Sequence, residues 1–255
     1  MAPETTSAAG EESHTVTLQI GDGTDPLRIV LPSGSVPPEA TLPALRTITD
    51  AVVGRGIIAA HARGRSISCK SGCAACCRHM ALISDIEARA LAAVVAQMPE
   101  PRRSIVRARF AAARQRMEEA GLAEPARHVD HLPPDHLKAL ATAYFRLGID
   151  CPFLEDERCS VYDDRPLVCR KLVVTSPPEW CADPDDDRIR PLRLPMLAAA
   201  ILLVNSDEEP PRPAAMPHAL ALDWAETHRA AGPQRGADVW MRRFVQRLAE
   251  CGNQP

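Results

Sequence analysis

Eight of the nine cysteines of this 255-residue chain fall into two groups. Cys69, Cys73, Cys76 and Cys77 lie within nine residues and include an adjacent pair; Cys151, Cys159, Cys169 and Cys181 follow about seventy residues later. Gathered thiols act as disulfides or as ligands and redox groups, and the compartment decides which. The first fourteen residues show no basic region followed by an apolar stretch, so no secretory leader is expected. The longest apolar run, Leu194 to Val204, is too short to span a hydrocarbon layer of about 30 Å as a helix. The expectation is a soluble cytoplasmic protein with no membrane partner. Disulfides do not persist in a reducing cytosol, so the clustered thiols point to metal or redox chemistry. The odd count leaves one cysteine over, and Cys251, in the polar tail CGNQP, is the outlier.

The spacing narrows the chemistry. On a helix, positions 69, 73, 76 and 77 would share about a third of the circumference. In a loop, Gly72 permits a tight bend, and the sulfurs converge either way. Thiolates suit zinc and iron–sulfur clusters. Consecutive residues project in divergent directions, so Cys76-Cys77 suggests two centres, a multinuclear cluster, or one ligand beside a spare. The second group, with intervals of seven, nine and eleven residues, matches no zinc-finger knuckle. Cys169 lies in DDRPLVCRKL, where Asp163 or Asp164 can cap a short helix with Pro166 in its first turn. A thiolate would be favoured near that N-terminus. Lys70, Arg78, Arg165, Arg170 and Lys171 would offset the negative charge of several thiolates. His61 or His79 could replace one thiol. The Cys-x3-Cys-x2-Cys interval also fits a radical-SAM signature. That chemistry needs a β/α barrel, whereas the residues after Cys77 read as successive helices, and Ala75 stands where an aromatic is usual.

The rest of the chain reads as mainly α: a helical domain around an irregular cysteine-rich metal-binding core, with a small N-terminal β-hairpin. Hydrophobic residues make up 45% and aromatic residues only 4%, so the core is expected to be built from Ala, Leu, Val and Ile. Residues 1–14 are expected to be disordered, and 15–65 to form a hairpin around GDGTD followed by a helix over 43–62. Residues 66–190 form the cysteine core, with inserted helices between 84 and 147; residues 191–255 form C-terminal helices over 191–204, 217–230 and 235–250. Ser84-Asp-Ile-Glu87 is a capping box that opens a helix to about Met98. A helix over 101–120 carries Val106, Phe110, Ala113 and Met117 as one apolar stripe. Six arginines, at 102, 103, 107, 109, 114 and 116, flank it, either as a solvated face or as a docking surface for an acidic protein partner. A helix over 135–147 ends at Gly148. The net charge of −3 gives no reason to expect a nucleic-acid partner.

The motifs CKSGCAACC, CPFL, CSVYDDRPLVCR and PPEWC resemble the YkgJ-type cysteine-cluster family over residues 66–182. The resemblance implies a zinc- or iron-chelating domain with a CxxxCxxCC signature, with all eight clustered cysteines as metal ligands. An iron–sulfur cluster is favoured, since eight thiols can supply two four-thiolate clusters and Cys151-Pro152 matches the proline after a ligand cysteine in bacterial ferredoxins; zinc is the alternative. A redox or structural role follows from that reading. The alternative function is a metal-dependent modifying enzyme, such as a SAM-dependent protein lysine N-methyltransferase resembling the flagellin methylases, although no glycine-rich methyltransferase loop is present. For an enzyme, His79, Glu155, Tyr162 and Asp163 are the acid–base candidates by their closeness to the cysteines.

Overall fold

The computed structural model describes residues 10–20, 23–195, 197–205, 213–228 and 233–252. The chain opens with antiparallel strands β1 (Glu11–Ile20) and β2 (Gly23–Pro32), in a register that pairs Ile20 with Gly23 and Glu11 with Pro32. The hairpin thus begins before the expected boundary at residue 15; residues 1–9 of the expected disordered stretch lie outside the described residues. A short β3 (Ser35–Val36) leads to α1 (Leu42–Ala62), which carries Pro43 in its first turn, where a fixed φ and a missing N–H cost nothing. Leu45, Ile48 and Val52 are buried at helical spacing along α1.

After the first cysteine group come β4 (Leu82–Ser84) and α2 (Asp85–Gln97). The capping box is complete: the Glu87 backbone N–H donates to Ser84 Oγ at 3.1 Å, and the Ser84 N–H donates to the Glu87 carboxylate at 2.9 Å. Helix α3 (Arg102–Glu119) buries the expected stripe of Val106, Phe110, Ala113 and Met117. Its arginines are neutralised at home, by Glu155 for Arg102 and Arg109, Glu100 for Arg103, Glu226 for Arg107, and Glu118 with Asp223 for Arg114. Arg116 donates to the carbonyls of Leu147 and Gly148. The solvated-face reading holds, and the docking reading of this helix loses its free cations. A short α4 (Ala123–Arg127), which no pattern announced, precedes α5 (Pro134–Arg146), closed by Gly148 at φ +60.

The second cysteine segment is irregular, as expected. It holds a two-residue hairpin of β5 (Leu154–Glu155) and β6 (Arg158–Cys159) and one helical turn and a half, α6 (Leu167–Lys171). The helix expected over 191–204 shrinks to α7 (Leu197–Leu202). Residues before it are extended instead: Val174 bridges Pro191, and the Leu192 N–H donates to the Val173 carbonyl at 2.8 Å. Pro191 and Pro195 explain the correction, because proline lacks the helical donor and biases the preceding residue away from the helix. Next come β7 (Ala215–Pro217), α8 (Ala221–Thr227), β8 (Arg235–Gly236) and α9 (Ala237–Gly252). The helix expected over 217–230 begins as a 3-10 turn, and only 221–227 is α-helical. Strands β3 with β8 and β4 with β7 pair antiparallel, tying early segments to late ones. No described helix is long and apolar enough to cross a membrane.

The fold is mainly α. One core packs α1 and β2 against α7 and α9 through Leu45, Ile48, Ile201, Trp240 and Phe244. Trp240 also donates its indole N–H to the Val36 carbonyl at 2.9 Å. A second core packs α2 and α3 against the cysteine segment through Leu91, Val95, Phe110, Phe153 and Val161, and Cys151 and Cys159 lie against it. The buried set is mostly small and aliphatic, as composition suggests, but Trp240, Tyr144 and Phe244 are among its largest fully buried side chains.

Candidate metal centre

The first cysteine group forms a looped turn and not a continuous helix. Gly72 adopts φ +84, a left-handed conformation that a side chain disfavours, and the Cys73 N–H closes the bend on the Lys70 carbonyl at 3.0 Å. Residues Ala75–Arg78 then make one 3-10 turn bearing Cys76 and Cys77. The chain on either side is pinned from afar. The Ser68 N–H donates to the Val174 carbonyl at 3.0 Å, and the Val174 N–H donates to Cys69 Sγ at 3.4 Å.

Three contacts join the second group to the first. The Cys151 N–H donates to the Cys77 carbonyl at 2.8 Å. The 3-10 turn Pro178–Ala182, which carries Cys181, packs against the turn bearing Cys76 and Cys77. His79 Nε2 lies 2.8 Å from the Cys181 carbonyl, and its ring rests 4.7 Å from that of Phe145. His79 therefore positions the backbone of Cys181, while His61 is exposed near the end of α1.

Cys169 is placed by a route that the sequence reading missed. The N-cap of α6 is Pro166, with no side-chain cap, so neither Asp163 nor Asp164 serves there. Asp164 instead meets Arg46 of α1 at 2.6 Å. The Leu167 N–H is satisfied by Glu87 Oε1 at 2.7 Å, while Glu87 Oε2 takes the Ser84 N–H and hydroxyl. One buried carboxylate thus caps two helices. Burial raises its pKa, and these hydrogen bonds oppose the rise. Arg170, almost wholly buried, reaches Asp50 of α1 at 2.6 Å and also donates to the carbonyls of Arg165 and Asp163. The only hint in the sequence was the local capping box.

The thiols interact as an inner and an outer trio with the adjacent pair between them. Burial raises the pKa of Cys151 to about 12 and raises Cys169 strongly; Cys151 feels Cys159 and Cys76, and Cys169 feels Cys151, Cys76 and Cys159. Cys159 is raised by burial and by Cys76, while Arg165 and Arg170 oppose the rise. On the outside, burial raises Cys69 and Cys181; Cys69 feels Cys73 and Cys76, and Cys181 feels Cys69, Cys73 and Cys76. Cys76 is also raised, by its close neighbour Cys77 and by burial. Arg165 tempers Cys76 and Cys159, as expected of a neighbouring cation, and Arg78 pairs with Glu157 and Asp150 while also feeling Cys77.

Metal binding at such thiols must release their protons, and the attraction of a cation offsets the mutual repulsion that keeps them protonated. The donor set, soft and sulfur-rich, fits zinc or iron. Among the described residues, no group of three His, Cys, Asp or Glu side chains stands ready to hold a metal ion. The two cysteine groups are brought together by the backbone but do not form a finished cage. Cys251 takes no part; its electrostatic neighbours are Glu250 and Arg247. Of the acid–base candidates, Tyr162 is exposed under the Arg165 guanidinium and Glu155 pairs with Arg109 and Arg102. Asp163 lends its backbone carbonyl to Arg170.

Neither a curated protein nor a solved structure matches the chain. Residues 68–183, which hold all eight clustered cysteines, match the model of the CxxCxxCC family, described as a "Putative zinc- or iron-chelating domain". The match agrees with the cysteine-cluster resemblance of the motifs and covers somewhat less than half of the chain.

Proposed function

We propose that the chain is a metal-binding protein whose eight clustered cysteines hold an iron–sulfur or zinc centre with a redox or structural role. The observation that carries this reading is that backbone contacts bring the second cysteine group against the turn of Cys76 and Cys77, through the Cys151 N–H on the Cys77 carbonyl and the packing of the turn that bears Cys181. If Cys76 and Cys77 give one thiol to each trio, the result is two four-thiol sets. The inner set would draw on Cys151, Cys159 and Cys169, and the outer on Cys69, Cys73 and Cys181. Two such sets suit two iron–sulfur clusters and also two zinc ions, and the iron–sulfur reading is preferred. A bound cluster would supply one-electron chemistry; zinc would supply a fixed crosslink. The chain's own part is to shield the inner thiols from water, to temper their charge with Arg165 and Arg170, and to fix the two segments through Glu87 and the Cys151–Cys77 backbone bond.

The test is anaerobic purification followed by absorption spectroscopy and counts of iron, acid-labile sulfide and zinc per chain. Broad visible absorbance with stoichiometric sulfide supports clusters. A colourless chain with zinc replaces iron by zinc. A chain without metal that folds equally well as Cys73→Ser and Cys169→Ser overturns the proposal.

A further inference from the structure

A groove of about 880 Å³ runs between the C-terminal half of α1 and the extended segment 189–195. Five arginines line it, Arg55, Arg63 and Arg65 on one side and Arg190 and Arg193 on the other, and among the described residues none of its lining is acidic. This reverses the sign of a chain whose net charge is −3. It also differs from the arginine face of α3. Arg63, Arg65 and Arg193 are exposed and form no ion pair among the described residues, whereas every arginine of the α3 stripe meets a carboxylate or a carbonyl. Ile58, Leu192 and Leu194 give the groove an apolar floor. The close approach depends on Gly56, where a Cβ would stand 2.5 Å from Leu194 Cδ2.

The groove lies beside the outer thiols. Its far wall, residues 189–195, pairs through Pro191 and Leu192 with Val174 and Val173, and the Val174 N–H donates to Cys69, the most exposed of the eight clustered thiols. We propose that this groove docks an extended acidic segment of a partner protein next to the Cys69 edge of the metal centre. The proposal rests on the groove itself and stands whichever metal the cysteines hold.

Charge and length select the occupant. The arginines stand on both walls of a groove of about 880 Å³, much larger than a single phosphate fills. Guanidinium groups pair bidentately with carboxylates, and several spread along a channel match carboxylates spread along a chain. The apolar floor asks for aliphatic side chains between the acids. Single-stranded nucleic acid would want aromatic platforms for its bases, and none lines the groove.

The test uses the full chain and a fluorescein-labelled peptide of alternating Glu and Leu, read by anisotropy. Matched Glu/Gln and Lys/Leu peptides and an unlabelled single-stranded oligonucleotide serve as comparisons. The Glu/Leu peptide is expected to bind best and to weaken as salt rises. Combined Arg63→Glu, Arg65→Glu and Arg193→Glu should weaken it by roughly tenfold or more, while Arg107→Glu on α3 leaves it unchanged. If the reversed variant fails to fold, the combined Arg→Gln variant at the same positions replaces it and should weaken binding in the same direction. Equal binding by wild type and variant overturns the proposal. So does an oligonucleotide that binds more tightly than the peptide, which would make the groove a nucleic-acid site.

Discussion

Helices α2 and α3 and the segment 149–190 share one apolar core, but they are held in place by different means. The helices start from local patterns: a capping box opens α2 and a regular stripe seats α3, although the arginines of α3 also reach Glu155 and Glu226 far along the chain. The cysteine segment borrows its supports. Glu87 caps α6 from eighty residues away, Arg46 reaches Asp164, Arg170 reaches Asp50, and the Cys77 carbonyl takes the Cys151 N–H. A segment supported from outside has little local stability of its own, so much of its order is left for a bound metal to supply.

Metal removal should show the contrast most strongly. Structural metal sites can contribute on the order of 10 kcal/mol to folding. Hydrogen exchange with and without a chelator should show amides 151–181 losing protection while those of α3 keep it; equal loss in both would erase the distinction. Phe110→Ala cuts the core that the two regions share, including its edge-on contact with Phe153. A loss of about 3–5 kcal/mol is expected in urea unfolding of the metal-free protein.

A pH effect of nearly that size should come from His218, fully buried with neither ring nitrogen hydrogen-bonded and pushed down to about 4 by burial. Its folded pKa lies below the unfolded value near 6.5, so between those values the unfolded chain binds the extra proton and stability rises with pH. The metal-free protein should therefore lose about 3 kcal/mol as pH falls from 6.5 to 4, and His218→Gln should remove most of that slope. Glu87→Ala strips partners from two buried N–H groups and is expected to cost about 2–3 kcal/mol. Its distinguishing sign is poorer metal loading, because α6 loses its cap; normal loading would separate Glu87 from the centre. The smallest effect belongs to Arg107→Ala, an exposed pair with Glu226, at below about 1 kcal/mol.

What the sequence made legible follows the same division. The Ser84 capping box, the stripe from Val106 to Met117, the N-terminal hairpin and the stop at Gly148 are local patterns, and each is found. Cys169 was assigned a local aspartate cap, which Pro166 and the distant Glu87 replace. Of the helix expected over 191–204, Leu197–Leu202 is found, while Pro191 and Leu192 are extended and pair with Val174 and Val173. The Cys151–Cys77 backbone bond, the β4–β7 pairing and the arginine groove all depend on tertiary approach, which leaves no periodic trace in the chain. The eight cysteines are plain in the sequence, but the contacts that bring Cys151 and Cys181 to the first group depend on the fold.

The double use of Glu87 also bears on how this architecture tolerates change. The start of α6 is set by a residue of α2, so everything between Gln97 and Val161 is, from the viewpoint of Cys169, an excursion with fixed ends. Lengthening the α3–α4 or α4–α5 connection should leave Cys169 where it is. Moving Glu87 by a single residue along α2 should not, because helical geometry would swing its carboxylate about 100° away from Leu167.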